Sequence, residues 1–399
     1  MISVSEAEQI ITKNIYPAKP VRQRLADCVD FVLLENIRAD RDIPAFNKVL
    51  MDGIAINSSA LEHRDPLLRL QGTQAAGQNP LKLKSRDFCI EIMTGAVLPT
   101  GCDIVIPLEQ IQNKGDVFRV RPEFVPVKLQ HVQMQGSDRK KGDVVLSAGE
   151  ILTPAKIAVA ASIGKSFLKV GARPSVAIIS TGDELVDVNK KPKAFQVRKS
   201  NSYALQAALN KFGYRKNKIF HVQDNKIDLR RQLSVILKQF DVLVLSGGVS
   251  MGKFDFVPEV LQSLNVKVLF HKVSQKPGKP FWFGMSPSYR AVFALPGNPV
   301  STQVCFYRYV LPYLARSSGR NKIERKYVPL SRDFIVKTDF VFFLPVILDI
   351  DAHGLPQAKP CPLSHSGDFA GLSKSDGFVE LEAGKGQFSC GSVVPFFSW

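Results

Sequence analysis

Between residues 173 and 316, short apolar runs alternate with amphipathic stretches, and this alternation limits the fold more than any other feature of the chain. Residues 175–180, 219–222, 242–245, 266–273 and 290–294 have the length and composition of buried strands. Residues 200–212, 225–240, 257–264 and 300–315 space their apolar side chains as helices. Gly213 terminates the first of these, and Asp224 is placed to cap the second. Such alternation predicts a doubly wound α/β domain with a mainly parallel sheet. Ligands of these sheets sit at the carboxyl ends of the strands. The loops expected on that rim hold Thr181-Gly182-Asp183-Glu184, Asp224, Ser246-Gly247-Gly248 with Asp255, Lys276-Pro277-Gly278-Lys279-Pro280, and Leu295-Pro296-Gly297-Asn298-Pro299.

The stretch DVLVLSGGVSMGKFDF, 241–256, carries the most chemistry. A buried strand opens into Ser246, Gly247, Gly248, Ser250 and Gly252. Exposed amides at a strand-to-helix junction favour phosphate. Asp255 adds a carboxylate that a divalent metal would bridge to the anion. The competing reading is a glycine turn with Asp255 as a helix cap.

The flanking chain is different in kind. Residues 3–14 read as a helix capped by Ser5, and 21–38 as a second helical or mixed segment. Pro44 holds an extended approach to Asp52-Gly53, which reads either as a site edge or as a hairpin turn. Residues 54–135 show short β runs broken by Gly and Pro, with Thr94 in a tight loop. Asp138 and Asp143 flank a basic pair. Thr153 caps and Pro154 opens a helix that Gly164 ends; it is expected to pack back on the N-terminal helices. The β domain is thus inserted in a discontinuous lobe. The last segment, 321–399, reads as a small β-barrel or sandwich.

A length of 399 residues calls for two to four domains. A formal net charge of +17 favours anionic partners. Lys and Arg are scattered and match no nucleic-acid-binding pattern, so nucleic acid is set aside as the main partner. Cys28, Cys89, Cys102, Cys305, Cys361 and Cys390 lack metal-ligand spacing. No signal peptide or membrane span is read, and a reducing, cytoplasmic compartment is expected.

The ordered motifs DIPAFNKVLMDGIAI, MTGAVLPTGCD, STGDELV, SGGVSMGKFDF, KPGKP and LPGNPVST resemble the MoeA family of molybdopterin molybdenumtransferases, related to the E domain of gephyrin. The resemblance implies four domains: a helical lobe (1–40 and 136–172), an inserted β domain (41–135), a molybdopterin-binding α/β domain (173–318) and a C-terminal β domain (319–399). It implies a homodimer acting on adenylylated molybdopterin and molybdate with Mg²⁺, releasing AMP, and a MogA-like adenylyltransferase as supplier. On this reading Ser246, Gly247, Gly248, Ser250 and Gly252 cradle the adenylate phosphate, and Asp255 positions the metal. Glu184, Asp224, Asp138 and Asn298 line the cleft, joined by Asp52 and Thr94 of the partner subunit. Lys276, Lys279 and Ser366 receive molybdate. One departure stands out: Phe342 occupies the place where the family commonly offers an arginine. Alternatives on the same fold are a CinA-like metal-dependent nucleotide pyrophosphatase and a non-enzymatic dimeric scaffold.

Overall fold

The computed structural model describes residues 1–62, 66–249, 255–361 and 367–399; Ser250, Gly252 and Ser366 lie outside the described residues. The central sheet has strands β1 Val176–Thr181, β2 Asn217–Val222, β3 Val242–Ser246, β4 Lys267–His271, β5 Trp282–Met285 and β6 Ala291–Leu295. Their spatial order is β2-β1-β3-β6-β5-β4. Strands β2, β1, β3 and β6 run parallel, and β5 runs antiparallel to both β6 and β4. Two reversals bring β4 back to the direction of β6, so its carboxyl end lies on the same rim as those of the parallel strands.

Helices run over Val4–Lys13 (α1), Pro154–Ser162 (α2), Asn201–Lys211 (α3), Lys226–Gln239 (α4), Val257–Ser263 (α5), Pro299–Cys305 (α6) and Leu311–Ser317 (α7). The two-residue period of β1 divides the core. Val176 and Ile178 pack with α1, α3 and α6, while Ala177 and Ile179 pack with α4 and α5. Burial on both faces explains why the parallel strands show no polar alternation. Helices α6 and α7 form one rod, joined by a π-helical turn at Phe306–Val310.

The N-terminal segments differ from expectation. Helix α1 is capped by Ser3, not Ser5. The Ser3 hydroxyl accepts from the Glu6 N–H at 3.1 Å, and Glu6 accepts from the Ser3 N–H at 2.7 Å. Its Val4, Ala7 and Ile11 join the core of the α/β unit. Residues 21–38 contain no α-helix: a strand Pro20–Arg24 pairs with Phe167–Gly171, and Ile37–Arg38 pairs with Val144–Leu146. Among the described residues of this part, Leu25–Asp27 is a short 3-10 turn and α2 an α-helix. Thr153 caps it at 3.4 Å, and Gly164 follows it at φ +76°. It packs through Ala160 on Cys28, Leu33 and Leu168, in a core separate from α1.

The inserted unit is a six-stranded sheet in the order Ile104–Pro107, Gly53–Ile56, Phe88–Ile92, Leu67–Gln74, Val117–Val120, Ile111–Lys114. Asp52-Gly53 is not a hairpin turn here. Gly53 begins a strand and pairs with Ile92 and Pro107. A Cβ at Gly53 would stand 1.9 Å from the Ile106 carbonyl oxygen, so close backbone approach requires the glycine.

The C-terminal sheet takes a strand of the α/β unit as its edge. Gln275–Lys276, in the β4–β5 connection, pairs in parallel with Val341–Ile350, aligning Lys276 with Phe342. Phe343 and Phe378 enter the α/β core, so the two units share apolar packing.

Candidate active site

The chain order places a crossover between β1 and β3: β1 leads to β2 on one side, and the chain then returns to lay β3 on the other. A crevice opens at the carboxyl end of such a switch point. Thr181 ends β1 and Ser246 ends β3, so STGDE and SGG flank that crevice. Gly247 and Gly248 adopt φ +99° and +70°. Cβ atoms there would lie 3.1 and 2.9 Å from the Thr181 hydroxyl oxygen, and Gly248 would also strike Val257 at 2.7 Å. Glycine therefore lets the loop lie directly on the end of β1.

A small network holds this cradle. Asn201, at the start of α3, donates from Nδ2 to Ser246 Oγ at 2.9 Å and to the Gly297 carbonyl at 2.7 Å. It ties the loop after β3 to the loop after β6. His271 Nε2, at the end of β4, lies 3.2 Å from the Val249 carbonyl oxygen and holds the glycine loop over toward the lysine connection. The Thr181 hydroxyl is buried with no hydrogen-bond partner among the described residues. The sequence places Thr181 in a rim loop but singles out neither Asn201 nor His271. Asn201 lies within the residues read as a helix, and its two partners lie 45 and 96 residues away.

Carboxylates gather beside the cradle. Asn225, not Asp224, caps α4, accepting from the N–H groups of Ile227 at 2.9 Å and Asp228 at 3.3 Å. Asp224 is left at the rim, where its N–H donates to Asp183 at 3.2 Å. Burial raises the Asp224 pKa to about 6, and Asp183, Glu184 and Asp255 add repulsion. Glu184 folds back so that its carboxylate lies 2.5 Å from where a Gly182 Cβ would be. Asp255 precedes α5, whose cap position is Phe256. Asn298 occupies the cap position of α6. Among the described residues no three His, Cys, Asp or Glu side chains converge tightly enough to hold a metal by themselves.

The lysine connection stands at the seam with the C-terminal sheet. Lys276 lies in the paired segment, and Lys279 Nζ sits 5.3 Å from the Phe340 ring centroid. Phe342 stacks on Phe334 at 5.9 Å and packs on the C-terminal core. The start of the chain braces the same connection: Ile2 bridges to Val273, and the Ser274 N–H donates to the Ile2 carbonyl at 2.8 Å.

Three expected residues stand elsewhere in the single chain. Asp52 accepts from the Thr94 N–H at 2.6 Å and from its hydroxyl at 2.7 Å. These bonds hold the Asp52 carboxyl below its ordinary pKa. Asp138 accepts from Gln133 Nε2 at 3.0 Å. No hydrogen bond joins any of the three to the rim among the described residues.

Three family models cover the chain in order: the MoeA N-terminal region (domains I and II) over residues 2–164, a probable molybdopterin binding domain over 177–316, and the MoeA C-terminal region (domain IV) over 327–399. The chain belongs to the MoeA family. A molybdopterin molybdenumtransferase from Synechocystis sp. is 36% identical over 400 residues, with all of both chains covered. One from Staphylococcus epidermidis is 30% identical, covering 98% of this chain and 94% of its own. The solved structure of a molybdopterin biosynthesis MoeA protein from Pyrococcus horikoshii superposes with a TM-score of 0.84 at 27% identity, covering 100% of this chain and 99% of that one. The shared MoeA architecture thus extends from one end of the chain to the other, the inserted sheet and the C-terminal unit included.

Proposed function

We propose that this MoeA protein is a molybdopterin molybdenumtransferase. It takes adenylylated molybdopterin and molybdate, places molybdenum on the dithiolene and releases AMP. The observation that carries the reading is the crevice at the β1/β3 crossover, where a glycine cradle, a group of carboxylates and a lysine-bearing connection share one rim. The Gly247 N–H donates to the Leu295 carbonyl at 3.1 Å, so the Gly248 amide and the Ser246 hydroxyl bind the adenylate phosphate. Lys276 and Lys279 receive the tetrahedral molybdate dianion as point charges. The basic chain as a whole raises the local concentration of both anions.

Mg²⁺ suits this set. It seeks oxygen ligands, and it is commonly held by one or two carboxylates together with substrate phosphates rather than by an all-protein cage. Asp255 and Asp224 are the proposed protein ligands, and the repulsion that raises the Asp224 pKa is what a cation relieves. When bound, the ion supplies charge neutralisation on the diphosphate linkage. Asp52, Thr94 and Asp138 fit the reading if a second copy brings them to the rim, which makes the working unit a homodimer. A MogA-like adenylyltransferase is the proposed supplier of substrate, and the cytoplasm the proposed compartment.

The test is AMP release from adenylylated molybdopterin with Mg²⁺ and graded molybdate. Release that rises with molybdate and stops in Asp255→Ala supports the proposal. Release indifferent to molybdate would replace it with a pyrophosphatase.

A further inference from the structure

Helix α3 and the α6–α7 rod both begin at the carboxyl rim and run away from it. The rod spans roughly 28 Å at 1.5 Å per residue. At its far end, against α1 and the last strand Val393–Ser398, lies a cavity of about 540 Å³, within the size range of small-molecule sites. The partly exposed Phe212 and Phe397 form its aromatic wall, with the buried Tyr307 and Tyr313 behind them.

The charge of this cavity is lopsided. Arg308, Arg316, Arg320, Lys322, Arg325 and Lys326 line it, against the carboxylates Glu8 and Glu324. Glu8 is already engaged, accepting from Arg308 at 2.8 Å and from Arg325 at 2.7 Å. No ion pair joins Arg316, Arg320, Lys322 or Lys326 to a carboxylate among the described residues. Arg316 and Arg320 are half-buried, so water screens them only in part. Arg173 lies beside the cavity without lining it. Burial lowers its pKa; Tyr214 and Asp30 oppose this, and Arg320 and Arg215 add repulsion.

We propose that this cavity is a second binding site, for a planar organic polyanion of the nucleoside-phosphate class. Unpaired guanidinium and ammonium groups suit two or more phosphates, and the aromatic walls suit a flat ring that a bare phosphate lacks. The occupant touches α1, the helix rod and the C-terminal unit together, so it strengthens their docking. The site stands whether or not the rim performs the chemistry proposed for it.

ATP without divalent cation is the probe, read by amide hydrogen exchange. Exchange across residues 307–326 is expected to slow in the wild type, with ATP affinity there falling at least tenfold in Arg316→Glu/Arg320→Glu. Exchange at the rim loops reports the other site separately, and AMP release should be unchanged by the double substitution. Arg316→Gln/Arg320→Gln serves if the charge reversal disturbs folding. The proposal is overturned if ATP leaves 307–326 unprotected, if both double variants keep wild-type protection, or if inorganic tripolyphosphate protects as well as ATP.

Discussion

Arg308 Nε donates to Glu380 at 2.7 Å across the seam between the helix rod and the C-terminal sheet. The same guanidinium reaches Glu8 of α1 at 2.8 Å, while only 4% of Arg308 is exposed. One buried cation therefore joins three parts of the chain. Removing it leaves two carboxylates short of a partner in a confined space. Arg308→Ala should lower unfolding free energy by about 3–5 kcal/mol in urea denaturation. A loss below about 1 kcal/mol would mean that solvent replaces the clasp.

Asn201 offers a test of the cradle without touching a charge. Asn201→Ala removes both donors that tie Ser246 to Gly297. We expect kcat/KM for the adenylylated substrate to fall about tenfold, the worth of one hydrogen bond near 1.4 kcal/mol. Thermal stability should change little. Unchanged kinetics would show that the two loops hold their places unaided.

Asp224 sets a pH signature. Its folded pKa, near 6, stands above the unfolded value, so the folded state binds the proton more tightly. Its contribution to stability is therefore fully present below about pH 4, is lost as pH rises to about 6, and stays lost above. Asp224→Asn should gain stability at pH 7 and flatten the decline in melting temperature over that window. Mg²⁺ should lower the titration midpoint of Asp224 in the wild type, as followed by carboxyl NMR. A midpoint indifferent to Mg²⁺ would remove Asp224 from the proposed metal ligands.

Lys276→Ala/Lys279→Ala should raise the molybdate concentration needed for half-maximal AMP release by tenfold or more, with the fold intact. An unaltered requirement would take the pair out of the oxyanion site. Phe342 aligns with Lys276 in the shared sheet, so Phe342→Arg is the matching gain test and should lower that requirement.

Gly53→Ala should destabilise the inserted sheet by about 3 kcal/mol, since its methyl meets a backbone carbonyl that cannot turn aside. Denaturant titration of the full chain would register a wild-type midpoint if the neighbouring strand gives way instead.

The alternating core was legible because buried parallel strands announce themselves as short apolar runs, and β1, β2, β3, β4 and β6 fall where those runs lie. The run 282–285 was not singled out; β5 is only four residues long and begins two residues after Pro280. The segment 21–38 was misleading for a different reason. Its pairing partners at 144–146 and 167–171 come after the whole inserted unit, so local pattern alone gave no ladder to read. The rim carboxylates and glycines were visible by residue type. Asn201 and His271 were not, because their roles exist only in contacts made across distant strands.

The π-helical turn at Phe306–Val310 has an effect that reaches past its own five residues. A wide turn accommodates one more residue than an α-helical one, which offsets the downstream half of the rod by about 100° about its axis. Deleting a single residue there would swing the α7 side chains off the aromatic core and draw Arg308 away from both its carboxylates, while the cap region of α6 at Asn298 kept its orientation. The extra residue therefore allows one continuous rod to serve the rim with one phase and the C-terminal seam with another.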